Sequence, residues 1–208
     1  MKLMKKWFPL MVALMFMISL MPTKLFAQEL SKEERTYLLD YLNKTKDDYI
    51  KSIKGLSDAQ WHYKEDTSRW SVAECAEHII KSEKMLRGYV LDSVLTSPVD
   101  PAKKAEVKVK TEDIAKMIED RSKKFKTGGP LIPKDIYATP AEALKSFEEE
   151  RNKTIEYVKS TKDDLHGHVG KAPLGTLDAY QWLVFLTAHS ARHIKQINEV
   201  ETAAGYPK

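Results

Sequence analysis

His189 and His193 stand four residues apart in the run His189-Ser190-Ala191-Arg192-His193. On a helix that spacing puts both imidazoles on one face, with Cβ atoms about 5–6 Å apart. They fall in line with Trp182, Phe185, Leu186, Gln196, Ile197 and Val200, a face expected to look into the core. Two imidazoles set in an apolar face must find partners or destabilise it. A shared divalent metal meets that need, and hydrogen bonds to neighbours or water meet it too; the spacing alone leaves both open. His78 tilts the balance towards metal. It lies seven residues past Ser71, on a face with Cys75, Ser82, Met85 and Tyr89, also expected to point inward. A third imidazole from another helix makes three protein ligands with one position open, the pattern of a catalytic rather than a structural zinc site. Three neutral imidazoles leave the metal its full charge, enough to bring a bound water to a pKa of about 7.

The chain offers no obvious general base for such a site. Zincins carry Glu directly after the first histidine, and that position is Ser190 here. Glu74 lies one turn before His78 but is expected to be taken up by a helix cap. Glu77, next to His78, points about 100° away around the helix and reads as solvated. Gln196 falls one turn beyond His193, suited to a hydrogen bond with a ligand imidazole or to contact with a substrate. Arg151 is read as snorkelling along an apolar stripe in preference to anchoring an anion. Cys75, the one cysteine, reads as a small packing residue beside Trp70 in preference to a fourth ligand. His62, His166 and His168 fall in loops and read as solvated.

Four amphipathic helices must position these residues. Ser31 opens the first, with the stripe Leu38, Tyr41, Leu42, Thr45, Tyr49, Ile53 and Leu56 at three- and four-residue steps. Ser71-Val72-Ala73-Glu74 is a capping box for the second, which is expected to run to about Leu95 with Trp70 stapled onto Cys75. Thr139-Pro140-Ala141-Glu142 opens the third, whose stripe is Leu144, Phe147, Ile155 and Val158. The fourth is expected from near Thr176 to about Ala203. The connection 96–138 is long for a bundle; it holds a weaker helical stretch from Thr111 to about Phe125 and then Gly128-Gly129-Pro130. Connections of this length are usually functional or mobile. Strand signals are lacking beyond the short alternation 106–110, which reads as loop. The fold class is therefore all-α, a four-helix bundle with a long connection between helices 2 and 3.

Trp61, Arg69-Trp70-Ser71-Val72-Ala73-Glu74 and His78-Ile79, together with Leu174-Gly175 and His189-Ser190-Ala191-Arg192-His193-Ile194-Lys195-Gln196, resemble the signatures of the DinB-like, YfiT-related four-helix-bundle family. The likeness extends over nearly all of the chain beyond its leader. It implies a three-histidine metal site at His78, His189 and His193, commonly filled by zinc or nickel, and frequent homodimers. Characterised members of that family include thiol-dependent transferases that act with bacillithiol, mycothiol or glutathione.

Residues 1–27 read as a secretory signal peptide. Lys2, Lys5 and Lys6 precede an apolar run of 15 residues from Trp7 to Met21, and Leu25-Phe26-Ala27 leads to Gln28. The run is shorter than the about 20 residues a spanning helix needs, although an uncleaved anchor is the alternative. The expected mature chain is 28–208, a single helical-bundle domain in a secreted or periplasmic location. The leader holds four lysines and no acid, so the remainder has 34 − 4 = 30 basic residues against 30 acidic ones. Such a balance lacks the electrostatic footprint of nucleic-acid binding. The expected partner is a small molecule, with no nucleic acid and no membrane span in the mature chain. The expected activity is metal-dependent hydrolysis of a small substrate by metal-activated water. The alternatives are a non-catalytic metal- or ligand-binding module and a thiol-dependent S-transferase; export ranks the transferase lower, because low-molecular-weight thiols are mainly cytoplasmic.

Overall fold

The computed structural model describes residues 28–208; the leader expected over 1–27 lies outside the described residues. Helix α1 spans Lys32–Ile53, and Ser31 and Glu34 close a reciprocal capping box at its start. A short α2, Asp58–Trp61, leads to α3, Val72–Tyr89, which starts at the expected box of Ser71 and Glu74. One wider turn, Val90–Val94, carries α3 on towards Leu95. The connection contains α4, Pro101–Lys104, and α5, Thr111–Glu119, and a tight turn at Gly129–Leu131. Helix α6, Pro140–Ser160, has Thr139 as its cap and Pro140 in its first turn, where the missing N–H is no loss. Helix α7 spans Ala179–Glu201.

Helices α1, α3, α6 and α7 form the bundle, with α1 and α3 each packed against both α6 and α7. The first two long helices in the chain are therefore diagonal to each other. Among the described residues no helix is long and apolar enough to cross a membrane.

Two departures from the sequence expectation lie before α7. A small antiparallel hairpin, β1 (Val169–Ala172) with β2 (Gly175–Asp178), occupies the stretch where the sequence predicts loop and helix start. Its turn ends at Gly175, with φ of 114° that favours glycine. Asp178 then caps α7, so the helix begins three residues later than Thr176. The segment from Thr111 is helical only as far as Glu119. Its Ile114 and Ile118 are buried and α5 packs on α7, which makes the connection part of the fold.

The apolar core is in two clusters. Along α1, Leu38 and Leu42 belong to the first, and Tyr49 and Ile53 to the second. Thr45 falls between them, at the level of a fully buried ion pair between Glu83 of α3 and Arg151 of α6. Arg151 donates to both Glu83 oxygens at 3.0 and 2.8 Å, to the Leu42 carbonyl at 3.0 Å, to Thr45 Oγ1 at 2.5 Å and to Ser190 Oγ at 2.9 Å. Thr154 Oγ1 adds a bond to Glu83 at 2.8 Å. The expectation that Arg151 snorkels is thus corrected. A buried guanidinium is tolerated only where its donors are met, and here the other three bundle helices, α1, α3 and α7, supply the acceptors.

Candidate metal centre

Helices α3 and α7 bring His78, His189 and His193 together; one ligating atom from each lies within 4.8 Å of the others. His78 Nε2 faces His189 Nε2 at 3.4 Å. Two nitrogens bound tetrahedrally at about 2.0–2.1 Å from one zinc would stand about 3.3–3.4 Å apart, so this separation suits a shared ion. The remaining nitrogens explain why the rings point this way. His78 Nδ1 donates to the Leu131 carbonyl at 2.9 Å, and His193 Nδ1 donates to Gln196 Oε1 at 2.9 Å. Those bonds settle both tautomers: each ring keeps its Nε2 lone pair for the common space. Gln196 is oriented in turn by Arg121, which donates to the same Oε1 at 3.3 Å.

Aromatic packing completes the enclosure. Trp70 lies 4.9 Å from the His78 ring and 5.9 Å from that of His193, centroid to centroid. Trp70 is thus a wall of the histidine cluster. Phe185 lies nearly parallel to His189, at 14° and 6.3 Å. His189 Nδ1 is buried without a hydrogen-bond partner among the described residues, so stacking orients that ring. Burial pushes His189 down to about 3, helped by His78 and Arg192, and holds His193 well below and His78 below the ordinary histidine value. All three imidazoles are neutral at pH 7, the state that ligates metal. Two inward lone pairs cannot satisfy each other, whereas one cation satisfies them all.

Glu77 is the principal correction to the sequence reading. It is fully buried, not solvated. Its carboxylate accepts the Lys134 amide at 2.9 and 3.0 Å and the Ile136 amide at 3.1 Å, and pairs with Lys81. Burial opposes its charge, but Lys81 and these amides outweigh burial and hold the carboxyl below its ordinary value. Glu77 thereby straps the segment around Leu131 to α3, which brings the Leu131 carbonyl onto His78. Glu74 serves the cap, as expected, and also pairs with Lys64. Cys75 is buried, and burial pushes its thiol far up, leaving it unreactive.

The other histidines lie elsewhere. His62 is part exposed between Asp58 and Asp135. His166 is not solvated: it bonds Asp178 at 2.9 Å and Glu34 at 3.1 Å, which ties α7 to α1. His168 Nδ1 is held by the Ser97 carbonyl at 2.7 Å. A cavity of about 1000 Å³ opens beside the three-histidine cluster, within the range of about 300–1,000 Å³ typical of ligand pockets. The 118–132 part of the connection lines it together with α3 and α7. Arg192 anchors that part, donating to the Ile118 carbonyl at 3.0 Å and to those of Asp120 and Lys123.

Comparison with known proteins places this architecture. The model of the DinB superfamily matches residues 41–197. The uncharacterized protein YuaE of Bacillus subtilis (strain 168) is 24% identical over 150 residues, which cover 72% of this chain and 88% of that protein. Among solved structures, YfiT from Bacillus subtilis, described as "a probable metal-dependent hydrolase with an unusual four-helix bundle topology", is similar with a TM-score of 0.53 at 15% identity, covering 86% of this chain and 93% of that chain. At that identity the likeness is one of fold.

Proposed function

Since the chain belongs to the DinB superfamily, we propose that it is a metal-dependent hydrolase of a small substrate, with His78, His189 and His193 holding one zinc or nickel ion. The observation that carries this reading is the convergence of imidazole nitrogens beside a cavity, with two of the rings locked from behind by Leu131 and Gln196. A divalent ion bound there supplies Lewis acidity and lowers the pKa of a bound water to about 7. The chain's own residues orient and enclose. Leu131 and Gln196 keep the Nε2 lone pairs inward, Trp70 shields the rings, and the connection and α7 wall the cavity. The description of YfiT as a probable metal-dependent hydrolase accords with this reading. We also propose that the mature chain begins at Gln28 and acts outside the cytoplasm, which mass spectrometry of the fractionated native protein tests.

One observation favours a second reading, a metal- or ligand-binding module without catalysis. The carboxylates on the α3 side of the site are engaged: Glu74 in its cap, Glu77 in its strap and Glu83 with Arg151. Glu199 on the cavity wall is paired with Arg121 at 2.8 Å. None of these four carboxylates is then free to serve as a general base. Elemental analysis followed by a panel of ester, amide and phosphoester substrates, with and without chelator, separates the two. Chelator-sensitive turnover supports the hydrolase; stoichiometric metal without turnover on the panel supports the binding module. Protein purified from its native compartment without metal, and unable to take up zinc or nickel, overturns the hydrolase and the metal-binding module alike.

A further inference from the structure

The cavity beside the histidines has two unlike sectors. Leu86, Trp182 and Phe185 provide an apolar wall. Around the rest stand Arg69, Arg121, Lys124, Lys126 and Arg192, five cationic side chains against the single carboxylate of Glu199. The chain from Gln28 onward has as many acids as bases, 30 of each, so this excess is a local concentration and not a reflection of overall charge. Part of it is already compensated. Arg121 is held by Glu199, and Arg69 pairs with Glu65 and Asp66. Arg192 spends its donors on backbone carbonyls, which carry no net charge, so its own charge persists. Lys124 and Lys126 are exposed, and neither takes part in an ion pair among the described residues. Three neutral imidazoles would leave any bound divalent ion uncompensated as well. Low-dielectric walls lined by one sign of charge focus the field and raise the local concentration of the opposite ion.

We propose that the cavity takes an amphipathic organic anion, with an apolar body against Leu86, Trp182 and Phe185 and an acidic group directed to the cations of the connection, foremost Lys124 and Lys126. The proposal rests on reading this cavity as the substrate site, and it names the substrate class for that site. Neither part of the cavity suffices alone. Exposed lysines hold a small anion weakly, and an apolar wall of this kind does not discriminate charge. Together they select molecules that carry both features.

The test uses a matched pair of fluorescent probes on the zinc-treated chain from Gln28 onward. The first is 8-anilinonaphthalene-1-sulfonate; the second is N-phenyl-1-naphthylamine, the same apolar body without the sulfonate. The expected result is one saturable site that prefers the anion by about tenfold, a preference that shrinks as salt is raised. Charge reversal at two exposed positions, Lys124→Glu with Lys126→Glu, should weaken the anion about tenfold or more and leave the uncharged probe and zinc content unchanged. Equal binding of the two probes, or anion binding indifferent to the charge reversal, overturns the proposal. Zinc content is measured on the same samples. Anion preference without zinc sinks the metal reading and leaves this one; zinc without anion preference does the reverse.

Discussion

Replacing Glu77 by Ala tests whether the strap on the connection governs the histidines. The wild-type carboxylate accepts two backbone amides, from Lys134 and Ile136, at 2.9–3.1 Å. Hydrogen bonds to a charged group contribute about 1.5–3 kcal/mol each, nearer the lower figure when the freed donors can be hydrated. Lys134 and Ile136 are exposed residues, so a total of about 3–4 kcal/mol is the expectation. For a domain of this size that lowers Tm by about 6–16 °C if the strap opens only with the whole fold. If the strap opens on its own, the loss appears instead at His78, whose Nδ1 no longer meets the Leu131 carbonyl. Loss of such a supporting bond typically weakens metal affinity about 10–100-fold. Zinc affinity is measured by competition with a chromophoric chelator, and Tm by circular dichroism. Glu74→Ala is the control: it removes a cap contact worth about 1 kcal/mol without touching the strap, so zinc affinity should hold. Wild-type zinc affinity and wild-type Tm in Glu77→Ala would refute the reasoning.

His78→Ala, His189→Ala and His193→Ala should each sharply reduce zinc or nickel content, whereas His62→Ala and His166→Ala should not; elemental analysis reads this, and full metal retention by the triple variant would sink the site. Chelation should lower Tm moderately, by loss of a native-state ligand, while far-ultraviolet circular dichroism keeps its helical signal, because the two apolar clusters hold the bundle. Arg151→Met strands a buried Glu83 carboxylate and should destabilise by about 3–5 kcal/mol in denaturant unfolding, while Glu83→Leu with Arg151→Met should recover much of that; an unchanged single variant would contradict the buried pair. His166 is raised above its ordinary value by its bond to Asp178, with Glu34 adding to it against the effect of burial. Its stabilisation is therefore complete below about pH 6.5 and fades as pH climbs through the higher folded-state value. The stability gap between wild type and His166→Asn should narrow as pH rises above about 6.5, and a gap that widens would reverse the assignment.

Local chemistry is legible in the residue types and their spacing. The boxes at Ser31 and Ser71 and the Thr139-Pro140 start stand where the residue types placed them, because a cap closes between residues three apart. The faces of α1 and α7 follow from the helical period for the same reason, and that period set His189 and His193 side by side. Gln196, one turn on, was legible as a partner of His193 because that bond also closes within a single turn. Tertiary structure decided whatever joins distant stretches. The bond from His78 ends on a backbone carbonyl 53 positions away, and a carbonyl carries no residue signature. Glu77 looked solvated because helical angle says only that it diverges from His78; what it diverges towards is the strap at 134–136, 57 and 59 positions on. Arg151 looked like a snorkelling side chain because its carboxylate lies 68 positions earlier, on another helix. Whether a charge is buried or solvated depends on what packs over it, and no spacing within one helix contains that information.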